Sequence, residues 1–176
     1  MGCVVEDIEK EHIMKKTKAH LPEIKLVGMT VRTSNLGEAN FETGKIFPCI
    51  KKYFHEDIAA SISNRKNPGT TYCVYADYES DHNGEYTYLI GEEVNAFDTI
   101  PPELETYTIQ PQTYTKFTNG PAPMPHVRND PWEKIWGMRE DELGGKRRYH
   151  ADFEIYDERA KDHDKIVLDI YIGLKE

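Results

Sequence analysis

The chain has 176 residues, 38% of them hydrophobic and 30% charged, a balance that suits one soluble globular domain and excludes a disordered tail. With 31 acidic residues against 22 basic ones the formal charge is -9, which repels phosphate backbones, since direct nucleic-acid binding needs clustered Lys and Arg. Three cysteines without C-x-x-C spacing argue against a disulfide framework or a cysteine zinc site, and no apolar run reaches the roughly 20 residues needed to cross a bilayer.

In chain order, residues 1–21 are charged and read as an N-terminal extension, a short amphipathic helix with Val4, Val5, Ile8 and Ile13 as apolar contacts. Met1-Gly2-Cys3 opens like an acylation signal, but position 6 is Glu6 rather than Ser or Thr. Acidic residues arrive too early for a secretory leader, so the expected location is the cytoplasm. Residues 22–34 alternate as a strand, with Pro22 at its start and Leu26, Val27, Met29 and Val31 as its apolar positions. Residues 41–63 have helical spacing through Ile46, Ile50, Tyr53 or Phe54, and Ile58, and Pro48 places the regular helix near it. Asn67-Pro68-Gly69 marks a turn. Residues 72–78 and 85–94 are aromatic and β-branched, joined by a hairpin at Asn83-Gly84.

The second half repeats that order. Residues 104–118 read as a strand broken at Pro111. A helix follows within 124–140, with Pro131 expected in its first turn and Trp132, Ile135, Trp136 and Met138 along it. The basic run Lys146, Arg147 and Arg148 reads as a solvated helix-to-strand turn. Residues 149–157 and 166–174 are strands. The expected fold is therefore α+β: two pseudo-symmetric β-α-β-β halves, about 22–95 and 104–175 within a domain of 22–176. Together they form a curved antiparallel sheet with two helices and a central ligand cleft.

Strand alternation locates the candidate chemistry. In 149–157, Ala151, Phe153 and Ile155 point one way and Asp152, Glu154 and Tyr156 the other. In 166–174, Ile166, Leu168, Ile170 and Ile172 form an apolar row opposite Val167, Asp169 and Tyr171. If the strands pair, the acids and tyrosines of these second rows share one surface. That surface is either the wet face of an antiparallel sheet or a pocket in which rings and a carboxylate hold a cation.

Several segments carry a family resemblance in their order and spacing: PEIKLVGMTVRTSN, NRKNPGTTYCVYADYESDHNGEYTYLIGEEV, YTKFTNGPAPMP, WEKIW, DFEIYDERA and LDIYIGLK. Together they resemble the GyrI-like, AraC-type effector-binding domain over residues 22–175. The resemblance implies a stand-alone, multidrug-responsive regulator-type domain that binds a cationic, partly aromatic small molecule. Its partner would be that ligand, with a transcription regulator in trans as a further one, and neither nucleic acid, membrane, metal nor cofactor is implied. Glu154 matches the glutamate that meets the ligand cation in drug-binding members. Asp169 and Tyr171 match an acid and a tyrosine that line the site, the acid being the shorter Asp here. Tyr156 joins them by alternation, and Tyr75 and then Leu89 are the first-half candidates.

Other residues admit two readings each. Trp132 and Trp136, four apart on one helical face, suit core packing or the wall of the cleft. Phe117 suits the core or a ligand contact. His82 reads as a turn residue, and Cys73 as a buried or pocket-lining thiol rather than a nucleophile. Two further functions remain open at this level: hydrolysis of strained electrophiles, with Glu154 as general base and Tyr156 or Tyr171 as acid, and a gyrase-inhibitor-like protein interaction.

Overall fold

The computed structural model describes residues 14–176; the expected helical contacts Val4, Val5, Ile8 and Ile13 lie outside them. The strands are β1 (Lys15–Leu21), β2 (Ile24–Ser34), β3 (Thr71–Ala76), β4 (Glu85–Glu93), β5 (Glu105–Ile109), β6 (Gln112–Ala122), β7 (Ala151–Tyr156) and β8 (Ile166–Gly173). Between them lie α1 (Asn35–Glu38), α2 (Ile46–His55), α3 (His126–Trp136) and α4 (Glu140–Leu143). All eight strands form one antiparallel sheet in the order β1-β6-β8-β7-β3-β4-β2-β5.

This order reads the same from either end when the halves are exchanged, so the expected repeat is present, with one addition. Each half opens on a short strand of its own, making it β-β-α-β-β. Lys15–Leu21, expected as the end of a helical extension, is the edge strand β1. The break foreseen at Pro111 separates β5 from β6 and places them at opposite ends of the order. Two prolines account for both breaks. Leu21 stands opposite Gln112 and Ile24 opposite Ile109, so Pro22 and Pro111 face each other where neither can donate a ladder hydrogen bond.

The same pairing curves the sheet. Leu21 and Ile24 are three peptide steps apart, at most about 11 Å. Yet five strands separate β1 from β2 in the order, which would span roughly 29 Å if the sheet were flat at ~4.8 Å per strand. The sheet must therefore curl back on itself. Gly28 and Gly91 sit opposite each other in β2 and β4, and a Cβ on either would collide with the backbone of the other strand. Glycine is needed there for close approach.

Both faces of the sheet are buried. Under α2 and α3 lie Val27, Ile90, Tyr75, Tyr88, Phe117, Ile166, Leu168 and Ile170, joined by Ile46, Cys49 and Tyr53 of α2 and Val127, Trp132 and Ile135 of α3. The opposite face holds Leu26, Tyr72, Val74, Leu89, Tyr114, Phe153 and Tyr171. Each large side chain fully removed from water contributes roughly 1.5–3 kcal/mol. The two helices differ in regularity. Pro48 sits in the first turn of α2, where its missing N–H costs nothing. Pro131, expected in a first turn, is instead interior to α3, and it leaves the Val127 carbonyl without an intrahelical donor.

Candidate functional site

Glu154 is a buried acid hydrogen-bonded to Trp132 of α3. It projects from the helix-covered face of β7 and is 1% exposed. Its Oε1 accepts hydrogen bonds from the Tyr75 hydroxyl at 2.8 Å and from Trp132 Nε1 at 3.1 Å, and its Oε2 accepts from the Tyr156 hydroxyl at 2.7 Å. Three elements converge here: β3 brings Tyr75, α3 brings Trp132 and β7 brings the acid with Tyr156. All three donors are neutral. Burial first, and the charge of Glu154 second, push the Tyr75 and Tyr156 hydroxyls well above their usual range, so both stay protonated and keep donating.

The nearest cation is Arg128, in the first turn of α3, with Nε 3.8 Å from Glu154 Oε1 and a side chain 30% exposed. The walls are aromatic. The Tyr75 ring lies 5.1 Å from Trp132, 5.4 Å from Tyr88 and 5.6 Å from Tyr86, in edge-to-face contacts. Among the described residues the buried Tyr88 hydroxyl finds no partner stronger than the Cys73 thiol beside the acid. Cys73, paired with Glu154 across β3 and β7, is buried, as read from the sequence. Burial and then the Glu154 charge push its thiol up to about 12, which keeps it an unreactive thiol.

Two residues earlier on the same face, Asp152 forms a different kind of site. It is fully buried. Its Oδ2 accepts from Arg147 Nη2 and from the Tyr78 hydroxyl, both at 2.8 Å, and its Oδ1 accepts from the Gly173 N–H at 2.8 Å. The Arg147 side chain is only 9% exposed, and its guanidinium lies over Tyr149 at 4.4 Å, Tyr78 at 5.7 Å and Trp132 at 5.9 Å. The expected solvated turn at Lys146–Arg148 is thus corrected: Arg147 turns inward because Asp152 and an aromatic cage hold its charge.

Three groupings expected from the sequence change. Asp169 and Tyr171 do not share a surface with Glu154 and Tyr156. The pairing of β7 with β8 sets Phe153 opposite Tyr171, Glu154 opposite Ile170 and Ile155 opposite Asp169, which puts Asp169 and Tyr171 on the face away from the helices. There Asp169 accepts from Thr118 Oγ1 and Arg159 Nη2, each at 2.6 Å, with Lys116 Nζ at 3.6 Å. Tyr171 stacks on Phe153 at 4.8 Å. Leu89 also faces that side, lining a cavity of about 290 Å³ with Val74, Ala76, Arg32 and Tyr107. Trp136 does not join Trp132 under the helix; it is 43% exposed, with its ring 6.4 Å from that of Trp132, because it ends α3 where the helix leaves the sheet. Phe117 is a core residue, 1% exposed. His82 lies in its turn, stacked on Tyr149.

Sequence reasoning missed Arg128, Arg147, Tyr78 and Tyr149. One signal was available: Arg128 and Trp132 are four apart, so a helix over 126–136 turns both to one face. Nothing in the sequence marked Arg147 apart from its two basic neighbours. Among the described residues, no helix is long and apolar enough to cross a membrane, and no group of His, Cys, Asp and Glu could hold a metal ion.

Residues 19–174 match the model of the family described as Cass2, integron-associated effector binding protein. A Bacillus subtilis (strain 168) protein named a candidate transcriptional regulator, YobU, is 27% identical over 157 residues, which is 89% of this chain and 96% of that protein. The integron cassette protein VCH_CASS2 of Vibrio cholerae superposes with a TM-score of 0.72 at 24% identity, covering 92% of this chain and 97% of that one. SAV2435 bound to tetraphenylphosphonium superposes with a TM-score of 0.70 at 16% identity, over 92% of this chain and 94% of that one. The two structures share the fold of this chain.

Proposed function

The chain belongs to the Cass2 family of integron-associated effector-binding proteins, and from that premise we propose that it binds an amphipathic organic cation with Glu154 as the counter-ion. Tyr75, Tyr156 and Trp132 orient the carboxylate and wall the site. The regulator-type role expected from the sequence follows from the same reading: ligand occupancy is the signal, passed to a transcription regulator acting in trans.

One observation carries this reading. Among the described residues, Glu154 is a buried carboxylate hydrogen-bonded by neutral groups, with Arg128 as its one cation at 3.8 Å, outside hydrogen-bonding distance. A buried charge with so loose a partner is costly, and a ligand cation repays that cost while its apolar surface meets Tyr75 and Trp132. A diffuse, weakly hydrated cation suits the site better than a small hydrated one, because it surrenders less solvation on entry. The tetraphenylphosphonium held by the fold relative SAV2435 has that character. The Glu154 carboxylate is 1% exposed, and the ligand reaches it by displacing side chains of α3.

The test is titration with tetraphenylphosphonium followed by tryptophan fluorescence, which Trp132 reports from beside the acid. Glu154→Gln lowers affinity roughly tenfold or more, about 1.4 kcal/mol for each factor of ten. The neutral triphenylphosphine oxide is not weakened by the same substitution. Equal weakening of the two ligands contradicts charge pairing.

A further inference from the structure

We infer that Arg128 sets which ligands the Glu154 site admits: it occupies the cation position as the protein's own counter-ion, and a ligand binds by displacing it. This rests on the reading of Glu154 as the ligand's counter-ion and adds a residue to which that reading gives no role.

The geometry separates charge from hydrogen bonding at this carboxylate. Tyr75, Trp132 and Tyr156 hold both oxygens, so Glu154 keeps its orientation whether or not Arg128 is present. Arg128 supplies charge alone, from 3.8 Å. Any cation delivered to the same place supplies it equally well.

Arg128 is also placed to leave. Its side chain is 30% exposed, so it swings into water without crossing the core. It is the third residue of α3, and a positive charge in the first turn of a helix is opposed by the helix dipole. That turn contains no acidic residue to offset the charge. Pro131 removes the hydrogen bond its N–H would donate to the Val127 carbonyl, next to Arg128 in the same helix.

The consequence is a threshold. A small hydrated cation replaces the charge of Arg128 and gains nothing more, so it does not displace it. A neutral molecule of the right shape would expel Arg128 and leave Glu154 buried and uncompensated. A cation with extensive aromatic or apolar surface replaces the charge and also gains burial against Tyr75 and Trp132. Arg128 thus converts a generic anionic site into one selective for bulky organic cations.

The experiment compares Arg128→Met and Arg128→Lys with the unaltered protein, titrating tetraphenylphosphonium and, as a competitor, tetramethylammonium. Arg128→Met binds tetraphenylphosphonium roughly fivefold or more tightly, because the internal competitor is gone, and tetramethylammonium now competes. Arg128→Lys stays within about twofold of the unaltered protein, since the charge remains. Unchanged or weaker binding by Arg128→Met, with Glu154→Gln still weakening the cation selectively, overturns the role of Arg128 and leaves the site reading intact. Loss of the selective Glu154→Gln effect overturns the site reading itself. A second measurement needs no variant: phenylglyoxal modification of Arg128, read by mass spectrometry, accelerates when the unaltered protein is saturated with tetraphenylphosphonium. Unchanged or slower modification on saturation overturns the displacement.

Discussion

Asp152 and Glu154 stand two residues apart on one face of one strand, and both are buried with an arginine nearby, yet they are built for different tasks. Asp152 is held by a hydrogen-bonded guanidinium at 2.8 Å, which is caged by three rings and almost fully removed from water. Glu154 is held by three neutral donors, and its arginine stands off at 3.8 Å with a route to solvent. Burial of an acid therefore does not identify a binding site by itself. What separates the two is whether the compensating charge is fixed by hydrogen bonds or merely placed within reach. The first arrangement joins β7 to the turn before it; the second leaves a position that another cation can take.

The largest expected effect breaks the fixed pair. Arg147→Met leaves Asp152 buried without a counter-ion and lowers stability by roughly 3–5 kcal/mol, read as a large drop in melting temperature. Arg128→Met leaves the Tyr75, Trp132 and Tyr156 hydrogen bonds to Glu154 in place and costs less than Arg147→Met. Equal losses for the two variants would erase the distinction between them.

Glu92 sharpens the comparison from a third side. It is 1% exposed on β4, one carboxylate oxygen has no partner among the described residues, and Arg65 and the Gly69 N–H reach the other only at 3.4 Å. Burial raises its carboxyl above the ordinary value, with the Gly69 N–H and Arg65 opposing. The folded protein therefore holds this proton more tightly than the unfolded chain does. Its contribution to stability is fully present below the ordinary carboxylate value and is lost as pH rises through the raised folded one. Glu92→Gln removes that loss. It raises the melting temperature near neutral pH, and the gain fades as pH falls to the ordinary carboxylate value. A destabilised variant at neutral pH would mean that the Arg65 contact outweighs burial.

The smallest effect is a null. Asp169→Asn, on the opposite face and saturated by Thr118, Arg159 and Lys116, changes tetraphenylphosphonium affinity by less than about twofold, well under 1 kcal/mol. A loss comparable with that of Glu154→Gln would place ligand on the other face of the sheet.

That last contrast also marks where the sequence stopped being legible. Alternation assigned the faces within each strand: Glu154 and Tyr156 do share a face, as do Asp169 and Tyr171. It could not give the phase between the strands, because polarity was used as a proxy for the shared surface. Here both faces of the sheet are buried, and a two-sided core removes the inside-outside contrast on which register arguments depend. The β7–β8 pairing then joins the polar row of one strand to the apolar row of the other. The repeat and the two helices were readable from periodicity and punctuation. The short strand β1 was not, since it is defined by pairing with the other half of the chain rather than by a local pattern, whereas β5 was legible as the first part of the strand broken at Pro111. Arg147 was hidden for a related reason: three adjacent basic residues look alike until a distant Asp152 selects one of them.

The most direct test of the account is a crystal structure of the protein saturated with tetraphenylphosphonium. The account predicts the phosphonium beside the Glu154 carboxylate, flanked by Tyr75 and Trp132, with Arg128 turned out to solvent and the Arg147–Asp152 pair unchanged. A ligand seated elsewhere, with Arg128 still beside Glu154, would contradict it.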